Sequence, residues 1–129
     1  MNIGVNFFGP KFKLSQDFEG TLEILKQKGI TSAELCVAFD GNGEPPKELD
    51  LKIPPEVIAK MAGGIWSLDS APQRLETVRS YGFTVVSCHM MLGFQFTAEQ
   101  LLEMLPVMLE FGQANRISYF VISPMKDSV

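Results

Sequence analysis

Four short runs rich in β-branched and aromatic residues, separated by segments of helical periodicity that end in glycine, restrict this chain to parallel α/β topologies. The runs cover residues 2–8, 31–39, 83–90 and 117–123. After the first, Gly9-Pro10 leads into a loop carrying Lys11 and Lys13. Phe18, Leu22 and Leu25 then recur at spacings of four and three, with Asp17 adding negative charge near the helix start and Gly29 following Lys26 and Lys28. After the second run, residues 40–52 form a long glycine- and proline-bearing connection of the kind that often serves a site. Pro54-Pro55 opens a short helix through Ala62, stopped by Gly63-Gly64. Ser70-Ala71-Pro72-Gln73 reads as a capping box for a further helix, with Leu75 and Val78 on its apolar face and Gly82 at its end. The third run ends on His89, the only histidine. Beyond it, Thr97 and Gln100 form another capping box, and Leu101, Leu105, Met108, Leu109 and Gly112 mark one helical face. Pro106 lies within that stretch and, at about 3 kcal/mol for an interior proline, implies a kink or two separate helices. The order is β-α-β-α-α-β-α-β.

Such an order, with right-handed crossovers, leaves two architectures: a small flavodoxin-like sheet, or part of a (β/α)₈ barrel. In a flavodoxin-like sheet the first strand sits between neighbours, whereas a barrel segment keeps the order 1-2-3-4. No phosphate-binding glycine fingerprint follows the first run, which disfavours the former. At 129 residues the chain fits one domain with a single core. The net charge of −4 and the lack of a basic tract give no support to nucleic-acid or anionic-membrane binding. No apolar stretch reads as a membrane span and no leader pattern is visible, so the cytoplasm is the expected location. Cys36 and Cys88 sit inside apolar runs without CxxC spacing, which favours buried reduced thiols over a disulfide or a metal site.

The ordered set of segments resembles a known superfamily. Ile3-Gly4-Val5-Asn6, the helix from Thr21 to Gly29, Ala33-Glu34-Leu35, Val85-Val86-Ser87-Cys88-His89 and Tyr119-Phe120-Val121-Ile122-Ser123-Pro124 are similar to the start of a xylose-isomerase-like barrel. That superfamily holds sugar and sugar-phosphate isomerases and epimerases, together with the endonuclease IV type of DNA-repair enzyme. The resemblance implies the first four strands, about half, of a (β/α)₈ barrel, which when complete has eight strands and about 250 residues. It also implies a sugar substrate and, for the complete enzyme, a divalent metal (Mn, Co, Mg or Zn) held by Glu, Asp, His and Glu of later strands. This chain alone then holds no metal and lacks turnover. Ser123 stands where the DNA-repair branch places a metal-binding histidine, which counts against a nuclease.

Two residues are expected to face substrate, Glu34 and His89. Glu34 is an acid in a nearly apolar strand; it accepts a sugar hydroxyl or orients His89, or else is a buried acid satisfied by backbone donors. His89 offers one donor and one acceptor when neutral, for a sugar hydroxyl or proton transfer, the alternative being a structural histidine. If His89 points into the barrel, Ser87 and Val85 share its face and Cys88 faces the helices. Asn6 is a polar contact or a turn residue. Phe94 and Phe96 are lid or core, Met90-Met91, Met104 and Met108 adaptable packing, and Lys11 and Lys13 a phosphate attractor or a solvated loop. An open half-barrel would also leave its first and fourth strands as unpaired edges, favouring association with a second copy or a complementary half.

Overall fold

Two glycines in the left-handed region set where helices stop and strands begin: Gly29 at φ 85° and Gly82 at φ 90°. Only a residue without Cβ takes that turn at no steric cost, which is why each helix ends there. The structure is a computed structural model and describes residues 2–38, 55–91 and 98–122. Phe39, the 40–52 connection, Pro54, Phe94, Phe96, Thr97, Ser123 and Pro124 lie outside the described residues.

The elements are β1 (Ile3–Asn6), α1 (Lys11–Gln16), α2 (Phe18–Gln27), β2 (Ile30–Ala38), α3 (Pro55–Met61), α4 (Ala71–Ser80), β3 (Thr84–Met91), α5 (Ala98–Asn115) and β4 (Tyr119–Ile122). All four strands are parallel and their spatial order is β1-β2-β3-β4. Among the described strands β1 is therefore at an edge, which is not the flavodoxin-like order. Sequential neighbours joined by crossovers of one hand place the helices on one face of the sheet. The core lies there: Leu35, Val37, Val85, Cys88 and Met90 from the strands meet Leu14, Leu22, Leu75, Val78, Met104 and Met108 from the helices. The opposite face carries Gly4, Ser32, Glu34, Thr84 and Val86.

Four local readings are corrected. Residues 11–16 form a helix rather than a loop: Leu14 is 1% exposed, and Ser15 Oγ accepts from Gly63 N at 2.8 Å, so contacts with the end of α3 hold this short turn in place. A Cβ on Gly63 would strike the backbone of Leu14 and Ser15, so that glycine serves close approach as well as helix termination. At α4, Ser70 makes no side-chain cap bond to the helix; it exchanges bonds with Ser67 instead, Ser67 N donating to Ser70 Oγ at 3.1 Å and Ser70 N to Ser67 Oγ at 3.2 Å. The reciprocal box thus sits one turn earlier than Ser70–Gln73. α5 is one helix with Pro106 inside it. Its buried face is Met104, Met108, Phe111 and Gly112, while Leu105 and Leu109 are exposed together with Leu102. Gly112 determines that rotation, because a Cβ there would meet the Phe120 ring at 2.9 Å.

The fourth correction concerns β3. Between the pairs Ser32↔Thr84 and Glu34↔Ser87, β2 advances two residues while β3 advances three. The extra residue is a bulge, and it flips the facing of the strand. Val85 is consequently buried in the helix-side core at 3% exposure, instead of sharing a face with Ser87, and Val86 turns to the open face. Cys88 lies in the core as expected.

Candidate functional site

The register aligns one residue from each strand in a single row: Asn6↔Glu34 across β1 and β2, Glu34↔Ser87 across β2 and β3, and Ser87↔Tyr119 across β3 and β4. Three of these side chains are hydrogen-bonded in sequence. Asn6 Nδ2 donates to Glu34 Oε1 at 2.6 Å, and Ser87 Oγ donates to Glu34 Oε2 at 2.8 Å. Asn6 is fixed in turn, because its Oδ1 accepts from Phe8 N at 2.8 Å where the chain leaves β1. That second bond also assigns the amide orientation: with the oxygen held by a backbone N–H, the NH₂ group is left to face the carboxylate. Glu34 is thus satisfied by side chains of the two flanking strands, not by backbone donors. Its carboxylate retains lone pairs beyond the two used, since each oxygen accepts more than one bond.

The row borders a cleft of about 320 Å³ on the sheet face opposite the described helices, lined by Gly4, Asn6, Ser32, Glu34, Thr84, Val86 and Ser87 among others. That volume falls at the lower end of small-molecule sites. Gly4 keeps the cleft floor low: a Cβ there would lie 3.0 Å from Ser32 Oγ. The wall is mixed in character, with hydroxyls of Ser32, Thr84 and Ser87 around one carboxylate and one exposed Val86 methyl surface. Tyr119, 66% exposed, continues the row to the β4 edge.

His89 lies one pleat further along β3, in register with Cys36 and Val121. It is half-buried and engaged with a neighbour. The two residues expected to face substrate therefore belong to adjacent rows, and the cleft is lined by Glu34 and not by His89. Cys36, in His89's row, is 1% exposed. Burial pushes its thiol up to about 12, the nearby Glu34 charge adding to the effect and Lys11 opposing it. The Cys88 thiol is likewise raised by burial. Both cysteines are free. Lys11 Nζ donates to Phe8 O at 3.1 Å and stands 3.9 Å from the Phe8 ring centroid, so it is held on α1 beside an aromatic side chain.

In the row, an amide N–H and a hydroxyl O–H point at the single carboxylate, one on each oxygen. Among the described residues, no group of three or more His, Cys, Asp or Glu is gathered to hold a metal ion. Among them, too, no helix is long and apolar enough to cross a membrane.

Asn6 and Ser87 were only marginal candidates in the sequence. Their importance comes from register, which places residues 28 and 53 positions from Glu34 beside it. Comparison with protein-family models, with curated proteins and with solved structures found no match.

Proposed function

We propose that the chain is the first half of a (β/α)₈ barrel of the sugar isomerase and epimerase kind, whose concave face binds a small polyhydroxylated molecule through Glu34. The observation that carries this reading is the in-register chain Asn6–Glu34–Ser87 on the sheet face opposite the described helices. A carboxylate flanked by fixed donors accepts hydroxyl protons from a sugar, while the hydroxyls of Ser32 and Thr84 supply further polar contacts and Val86 meets C–H surface. In this reading Glu34, Asn6 and Ser87 bind and orient. The metal ligands and the acid/base pair belong to strands outside this chain, and the chain alone binds without turnover.

Isothermal titration of the 129-residue protein with a panel of aldoses and ketoses tests it. Weak saturable binding of at least one sugar, lost in Glu34→Ala, is expected. Turnover by the isolated chain, or binding unchanged in that variant, would contradict it.

A second reading, assembly of two copies, is favoured by the open edges. Among the described residues β1 and β4 each lack a strand neighbour on one side, and the exposed Leu102, Leu105 and Leu109 lie on the helix that precedes β4 in the chain. Two copies related by a two-fold axis along the strands would supply eight parallel strands, the number that closes this type of barrel. Sedimentation at rising concentration should show a dimer; a monomer throughout excludes it.

A further inference from the structure

A second cleft, sharing no lining residue with the first, lies between α1, α2, α3 and α4 and has a volume of about 330 Å³. Its walls are apolar at Leu14, Phe18 and Ala59, and its one charged group is Arg74 in the first turns of α4. The guanidinium is clamped in place. Nη1 donates to Ala62 O at 2.7 Å, and Cζ lies 5.6 Å from the Phe18 ring centroid and 5.8 Å from that of Trp66. The two rings are themselves in contact, 5.9 Å between centroids. Among the described residues no carboxylate pairs with Arg74, and that one backbone carbonyl accepts from a group with five N–H donors. Partial burial disfavours the charged form and lowers its pKa. An unpaired, half-buried cation of this kind carries a desolvation cost that an anionic ligand would offset.

We propose that this cleft binds a monocarboxylate with an apolar tail, the carboxylate taken by the free edge of Arg74. Several features select that chemistry. A single guanidinium balances a single negative charge, so a phosphate dianion would be left half-neutralised. The planar fork matches the two oxygens of a carboxylate, and the Phe18 and Trp66 rings, 5.6 and 5.8 Å from Cζ, with the bond to Ala62 O, hold the guanidinium beside the cleft. Through the shared Ser15 and Ala59 the cleft runs into a groove of about 670 Å³ alongside Phe12, which is 45% exposed. That groove is the path for the tail, with Glu56 and Lys60 at its polar margin.

Trp66 is the only tryptophan in the chain and reports on this site directly. Its fluorescence should change saturably with octanoate. Octanol, with the same tail and no charge, and inorganic phosphate should both fail to displace octanoate. Arg74→Gln should weaken octanoate binding about 10-fold or more, as loss of a charge-assisted contact does, and Arg74→Lys should also weaken it, because the fork is lost. Ala59→Phe, which narrows the cleft without touching Arg74, should abolish binding even if Arg74→Gln proves unstable. No saturable response to octanoate, an affinity unchanged in Arg74→Gln and Ala59→Phe, or displacement by phosphate or octanol would overturn the proposal. The sugar titration of the Glu34 cleft is independent of each of these results.

Discussion

Replacing Glu34 by alanine should destabilise the protein measurably, whereas replacing it by glutamine should not. The alanine variant loses two hydrogen bonds to a carboxylate, from Asn6 at 2.6 Å and from Ser87 at 2.8 Å. Bonds to a charged acceptor are worth about 1.5–3 kcal/mol each. Both donors border an open cleft, so water replaces part of that, and a net loss of about 2 kcal/mol is expected. With an m-value of about 2 kcal/mol/M for urea, the midpoint should fall by about 1 M. In Glu34→Gln, Oε1 still accepts from Asn6, and the Ser87 hydroxyl can rotate to accept from Nε2. Its cost should stay under about 1 kcal/mol. Urea melts of both variants, with Ser87→Ala and the Glu34→Ala/Ser87→Ala double variant, measure the pair: a coupling of about 1 kcal/mol is expected for residues in direct contact. Equal midpoints for wild type and Glu34→Ala, or strictly additive single losses, would refute the claim that this row is a connected network.

Gly63→Ala places a methyl against the backbone of Leu14 and Ser15, which no side-chain movement relieves; it should cost about 3 kcal/mol, seen as a large drop in thermal midpoint. Arg116 holds φ 56°, a left-handed conformation that glycine adopts freely, so Arg116→Gly should raise the urea midpoint by the equivalent of about 1 kcal/mol. The Cys36 thiol, with an ordinary value of 9.0, is pushed up to about 12 in the folded chain. The neutral form is favoured on folding, so its contribution to stability is intact below pH 9 and is lost as pH rises toward 12. Urea melts between those limits should show a declining midpoint, with a shallower decline in Cys36→Ala. At pH 8 the native protein should not react with a thiol reagent at Cys36 or Cys88, and both should react on unfolding.

Much of the topology was legible because its signals are local. β-branched runs, and glycines where a left-handed turn is required, mark where each unit ends, and their alternation with helices implies parallel strands; the choice between the two strand orders left open came from the structure. What was illegible depends on contacts distant in the sequence. α1 carries Phe12 and Leu14 two residues apart, which reads as no helix; Ser15 and Gly63 hold it from 48 positions away. α5 has apolar residues around most of its circumference, so periodicity does not choose a face, and the Gly112 contact with Phe120 does. The bulge in β3 leaves no compositional trace, yet it decides that Val85 is core and Val86 is surface. At the site, Glu34 was recognisable as a lone acid in an apolar strand, but Asn6 and Ser87 gain their roles only through register. Arg74 carries no distinguishing mark in the sequence, and the Phe18 and Trp66 rings beside it are what set it apart.

The central claim, that the sheet face opposite the described helices is a polyol site organised by Glu34, is tested most directly by amide chemical shifts. An ¹⁵N-labelled sample titrated with the tightest-binding ketose should show saturable shifts at Gly4, Asn6, Ser32, Glu34, Thr84 and Ser87, all absent in Glu34→Ala. Shifts confined to the helices, or identical in wild type and variant, would contradict it.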